Sequence, residues 1–122
     1  MEAKEIMIGD WVRIDSKSCE QVTRVFDKYC DTYASLLPWE YIEPIPLTEE
    51  IMDKNFVKKN STLSFATYDA AGILDLILYK YNGCHISINL LGRLTLIKYV
   101  HQLQQVLRLC GLGEMADNFK VE

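Results

Sequence analysis

Apolar and polar residues alternate along the first third of the chain with the period of a β-strand. Ile6 and Ile8 alternate with Glu5 and Met7. Past Gly9-Asp10, Val12 and Ile14 alternate with Trp11, Arg13 and Asp15. Residues two apart share one face of a strand, so the pattern predicts short, half-buried strands. Asp15-Ser16-Lys17-Ser18 has turn chemistry, and further strands are predicted over Gln21–Phe26, Thr32–Leu36 and Tyr41-Ile42. Closely spaced short strands with polar turns predict a small curled sheet, read here as an SH3-like β lobe over residues 1–46.

Pro44-Ile45-Pro46 marks the seam to the second region, 47–122. Proline fixes its own φ and pushes the preceding residue to extended conformations, which makes a stiff connector. A short helix follows. Thr48 is its expected N-cap, Glu49 and Glu50 occupy its first turn, Leu47 and Met52 fit a hydrophobic staple, and Asn55 is expected to end it in a left-handed conformation.

The strongest local turn signal is Asn82-Gly83, which favours a two-residue type I′ hairpin between Ile73–Tyr81 and Cys84–Leu91. Such a loop pairs Tyr79 with Ile86 and Ile77 with Ile88, giving one almost wholly apolar face. Upstream, Ser61–Tyr68 alternates through Leu63 and Phe65 and joins by Asp69-Ala70-Ala71-Gly72. The result is a three-stranded antiparallel meander. The final element is a helix near Lys98–Leu109. Val100, Leu103, Val106, Leu107 and Cys110 form its apolar face, which is expected to cover the apolar face of the meander. Residues 113–122 are polar enough to fray. The fold class is therefore α+β, expected as one compact unit despite the two lobes.

Composition narrows the setting. The chain has 122 residues, 49% hydrophobic and 25% charged. A chain of this length buries roughly 65–70% of its unfolded surface, so it can build a core without disulfides or metals. No run reaches the ~20 apolar residues that a membrane span requires. The first residues lack the apolar stretch of a secretory signal, so a cytoplasmic setting with no membrane partner is expected. Cys19, Cys30, Cys84 and Cys110 are then expected to be free thiols. Only Cys84-His85 are close metal-ligand types, and adjacent strand residues point to opposite faces. No metal and no cofactor are expected.

Charge is uneven. Residues 1–46 carry nine acids and five bases, whereas 47–122 carry eight of each, for a net −4 overall. Nucleic-acid binding requires a basic stripe with stacking platforms. Trp11, Tyr29, Tyr33, Trp39 and Tyr41 could supply rings, but their lobe repels phosphate. Lys54, Lys58, Lys59 and Arg93 are the main basic candidates. No phosphate loop, dinucleotide fingerprint or kinase signature is present. Cys84 or Cys110 with His85 or His101 could make a nucleophile pair, but free cysteines of this kind are usually small core residues. The Glu49-Glu50 pair reads as helix-start charge, Glu40 with Glu43 as a solvated edge, and Asp75 as an acid near a strand end. His101, Gln105 and Arg108 stand four and three residues apart and form the best polar surface stripe.

Three strings resemble a family of small uncharacterised proteins from Bacteroides-type gut bacteria and their phages and mobile elements. They are Ile8-Gly9-Asp10-Trp11-Val12, Glu43-Pro44-Ile45-Pro46-Leu47-Thr48-Glu49-Glu50-Ile51, and Tyr99-Val100-His101-Gln102-Leu103-Gln104 running on to Leu107-Arg108-Leu109-Cys110-Gly111. The resemblance implies a bacterial cytoplasmic or phage-associated setting and no particular activity. The family tends to have Asn-Gly-Phe after the short helix, where this chain has Asn55 followed directly by Phe56.

The function these features favour is a non-enzymatic protein-binding or adaptor module. Its partner is expected to be another protein, docking at a patch around Trp11, Trp39 and Tyr41 or at the His101-Gln105-Arg108 stripe. The alternative is an accessory nucleic-acid-binding protein of a phage or mobile element.

Overall fold

The computed structural model describes residues 1–81, 83–90 and 93–122, without the side chains of Asn89, Leu90 and Arg93. It is an α+β structure, mostly strands, with two five-stranded antiparallel sheets and a few short helices. The chain divides into two units. One comprises Met1–Ile45 with Val100–Phe119, the other Pro46–Tyr99 with Lys120–Glu122. Neither unit is a continuous segment. The helix expected to close on the meander folds with the first unit instead.

In the first unit, β1 (Trp11–Ile14), β2 (Ser18–Val25), β3 (Tyr29–Thr32), β4 (Leu36–Pro38) and β5 (Ile42–Glu43) form a sheet of order β4-β3-β2-β1-β5. The predicted strand over Thr32–Leu36 is in fact a turn: Thr32 N donates to Ser35 O at 2.8 Å, and strands lie on either side. Asp15 and Ser16 both adopt positive φ, as the turn chemistry of that segment favours. Val12, Ile14, Val22, Cys30, Trp39 and Ile42 make the core of this sheet. Burial pushes the Cys30 thiol up to about 11. The unit is completed by α2 (Val100–Leu109) and a short helix, α3 (Gly113–Asp117).

In the second unit, Thr48 caps the short helix α1 (Glu49–Asn55), its Oγ1 accepting from Ile51 N at 3.1 Å. The helix does not end in a left-handed residue. Asn55 is its last helical residue, and its Nδ2 donates to Ile51 O at 2.8 Å and Lys120 O at 2.7 Å. A side chain thereby replaces the glycine-like cap, and it also pins the chain end that was expected to fray. Phe119 and Val121 are buried.

The second sheet runs β10-β9-β8-β7-β6, neighbours in chain order. Its strands are β6 (Val57–Ser61), β7 (Phe65–Ala70), β8 (Leu74–Tyr79), β9 (His85–Leu90) and β10 (Arg93–Ile97). The three expected strands are thus the middle of a larger sheet. Leu63 lies fully exposed in the turn before β7, not within a strand. The Asn82-Gly83 turn falls partly outside the described residues. The β8–β9 register differs from the expected one by a single residue: Leu78 pairs with Ile86, and Tyr79 with His85. A one-residue slip exchanges the faces of a strand. Leu76 and Leu78 are therefore buried with Ala66, Tyr68 and Ile86, while Ile77 faces outward. Among the described residues, no helix is long and apolar enough to cross a membrane.

Candidate functional site

The predicted aromatic patch is not assembled. Trp39 lies in a single 3-10 turn (Trp39–Tyr41) and is buried in the first core, its Nε1 donating to Phe26 O at 2.9 Å. Trp11 alternates with Val12, which belongs to that core, so its ring leaves the opposite face of the sheet. There it is half-buried, and its Nε1 donates to Phe119 O at 2.6 Å. Tyr41 is the exposed member of the three. The two indoles are held by the fold rather than offered to a partner.

The polar stripe of α2 is also internal. His101 is buried, and burial lowers its pKa against the opposing pull of Asp10 and Glu5. Gln105 Nε2 donates to Asp10 Oδ2 and to Glu5 O, each at 2.8 Å. Arg108 Nη1 donates to Asp10 Oδ1, and the Asp10 side chain is wholly buried. Met7 N completes the carboxylate's partners at 2.9 Å. One position over, the buried Gln104 accepts from Trp11 N at 2.8 Å and donates to Gly9 O and Ala116 O, both at 2.9 Å. Gln21 Nε2 adds bonds to Gly9 O and Asp117 O. A buried carboxylate is tolerable only when its oxygens are satisfied, and here two side chains and a backbone amide do that. The stripe is a clasp that fastens the segment before β1 to α2. Gly9 fits this clasp because its φ is +93°, and a Cβ there would stand 3.0 Å from Arg108 Nη2.

Sequence reasoning treated Gly9-Asp10 only as a break between strands. The usable signal was an acid whose charge needs a cationic partner, set between the apolar Ile6–Ile8 stretch, which was expected as a strand but forms none, and β1.

The basic candidates of the second unit are already neutralised. Glu49 accepts from Lys58 at 2.8 Å, Lys80 at 2.9 Å and Ser61 Oγ at 2.9 Å. These three hydrogen bonds hold its carboxyl down to about 2. Lys58 also meets Asp53 at 3.0 Å, and Asp53 accepts from Tyr68 Oη at 2.8 Å. Lys59 pairs with Asp75, and Lys54 with Glu50. Asp75 is exposed, in keeping with its expected place where its face reaches water. The side chain of Arg93 lies outside the described residues.

Both units expose large apolar side chains, among them Tyr29, Tyr33 and Leu36 in the first, but on the outer face of the second sheet they join a cluster of rings. Phe65 stands opposite Tyr79, Thr67 opposite Ile77, and Tyr79 opposite His85. Tyr79 stacks on His85 with ring centroids 5.4 Å apart and planes inclined by 23°. Tyr81 meets both rings edge-on, at 5.8 Å and 5.6 Å. Ile77 is 39% exposed and Tyr81 55%. The sequence placed Ile77 and Tyr79 under a helix, because both faces of β8 are apolar and alternation could not choose between them. Asp75 was the discriminating signal: an acid on that face marks it as the wet one.

A shallow groove of about 500 Å³ lies in the first unit, lined by Ala3, Lys4, Asp27, Lys28, Trp39 and Glu40 among others. Its lining has no cysteine or histidine. All four cysteines are free thiols, and among the described residues no three His, Cys, Asp or Glu side chains cluster to hold a metal. Neither a protein-family model, nor a curated protein, nor a solved structure matches the chain.

Proposed function

We propose that this chain is a non-enzymatic protein-binding module that receives an apolar segment of a partner on the outer face of the second sheet. The carrying observation is the outer-face cluster in which Ile77 and Tyr81 are exposed and Tyr79 and His85 half-buried, with Tyr79 stacked on His85 and Tyr81 edge-on to both. Rigid aromatic rings lose little side-chain entropy on binding and supply large apolar contact, which is why they dominate binding hot spots. The SH3-like reading of the first unit belongs to this proposal. It is supported by strand order β4-β3-β2-β1-β5 and by the 3-10 turn that precedes β5. In this reading the first unit is a scaffold and the setting is the cytoplasm of a bacterium or its phage, in line with the free thiols.

A peptide-display selection against the intact protein tests the reading. Enriched peptides should carry aromatic or aliphatic anchors, and Ile77→Asp should weaken them at least tenfold. Selection of peptides indifferent to Ile77→Asp, or failure to enrich any, would overturn it. The second reading, an accessory nucleic-acid-binding protein, draws on the same stacked rings, since bases stack on exposed aromatics. It predicts binding to single-stranded oligonucleotides that falls steeply with salt. The pairing of Lys54, Lys58, Lys59 and Lys80 with carboxylates or neighbouring oxygens disfavours it.

A further inference from the structure

The second sheet has two edges, and they are built differently. The β6 edge reads Val57-Lys58-Lys59-Asn60-Ser61, with its register broken between Lys58 and Asn60. Lysines and a bulge are the devices by which edge strands avoid pairing with other chains. The β10 edge reads Arg93-Leu94-Thr95-Leu96-Ile97 and pairs with β9 in five consecutive steps without a shift. Among the described residues no strand lies on its other side. Leu94 and Leu96 are 79% and 48% exposed, two residues apart and so on one face. One edge is guarded; the other runs without a bulge and carries two exposed leucines, and just past its end Leu47 N donates to Lys98 O and Pro46 bridges Tyr99.

We propose that β10 pairs with β10 of a second copy of this chain, in antiparallel fashion about a two-fold axis. The strand's own pattern names this occupant. Leu-Thr-Leu reads the same in both directions, so an antiparallel pair centred on Thr95 sets Leu94 of each copy opposite Leu96 of the other. Every exposed leucine of the edge then meets a leucine, and no charge meets a like charge within that segment. A self-complementary patch is what a two-fold interface requires. The backbone groups along the outer side of β10 gain partners, and the two sheets join into one of ten strands. Leu94 and Leu96 share the outer face of the sheet with Tyr79 and His85, but the inference rests on the edge and its sequence rather than on the stacked rings, and Ile77→Asp separates the two.

The test is sedimentation equilibrium of the full chain from about 1 to about 300 µM, because self-association is concentration-dependent. The expected result is a reversible dimer. The double variant Leu94→Lys/Leu96→Lys sets lysine against lysine in the proposed register and should weaken the dimer at least tenfold, since like charges directly opposite repel. Both side chains face outward, so circular dichroism and melting of the variant should match the parent. Hydrogen exchange of the Leu94–Leu96 amides should slow as concentration rises. Ile77→Asp, away from the edge, should leave the dimer intact. A chain that stays monomeric throughout overturns the proposal. So does a dimer indifferent to the double lysine variant, or one that Ile77→Asp dissolves instead.

Discussion

The two units differ most in the polar side chains they bury, while both leave large apolar side chains exposed. In the first, groups that look like surface turn inward: Asp10, His101 and Gln104 are buried, and Arg108 and Gln105 close over the carboxylate. In the second, groups that look like core turn outward: Ile77, Tyr81, Leu94 and Leu96 are exposed. The charges follow the same division. The first unit holds eleven acids and six bases, the second six acids and seven bases. Yet the charge at the heart of the first unit is spent on its own clasp, and both units, not the near-neutral second alone, expose large apolar side chains. Net charge by itself says little about which groups a surface leaves unpaired. What counts is which groups remain after internal pairing, because a satisfied charge offers a partner little.

Mutations sharpen the contrast. The largest loss is expected from Asp10→Ala, which strips Arg108 and Gln105 of their buried acceptor. Breaking such a pair from one side costs about 4 kcal/mol, measurable by urea unfolding. In the second unit the comparable blow is apolar: Leu78→Ala empties a fully buried position and should cost about 3 kcal/mol by the same measurement. Gly9→Ala is intermediate. The strained φ of +93° and the close approach to Arg108 should lower stability by about 2 kcal/mol, seen as a drop in Tm. Ile77→Ser should cost less than about 1 kcal/mol, because the side chain is already partly exposed, at 39%. If Ile77→Ser destabilised the protein as much as Leu78→Ala, the assignment of faces in β8 would be wrong.

Acid should weaken the two units in separate windows. Folding lowers the pKa of His101, so the unfolded chain binds its proton first. Its contribution is complete above the ordinary value near 6.5 and is lost as pH falls below it. Glu49 is lowered from 4.5 to about 2, so its contribution is present above 4.5 and is lost as pH falls toward 2. Urea midpoints measured against pH should show the Glu49 window flattened in Glu49→Gln and the His101 window untouched. NMR titration of the Glu49 carboxyl should give a midpoint near 2.

Much of the local structure was legible. Thr48 caps α1 as its position announces, because a hydroxyl before two acids supplies the orphan amides of a helix start. The apolar spacing of Val100, Leu103, Val106 and Leu107 marks α2, and all four are buried. The site was less legible. The choice of Trp11 and Trp39 followed from their size, but large rings fill cores as readily as they bind partners. The stripe of α2 was read as solvated because its period is helical, although period reports only which residues share a face, not what that face meets.

The sequence by itself determined the Thr48 cap, the Asp15-Ser16 turn and the helix α2, since these depend on residues only a few positions apart, but not β6, β10, α3 or how α1 ends. It also fixed which side chains share a face. Only the tertiary structure decided which face is inside. Asp10 finds Arg108 across 98 positions, and the register of β8 on β9 turns on a single residue. Such choices compare the burial of whole faces against one another, and β8, apolar on both sides, left that comparison open until the sheet was built.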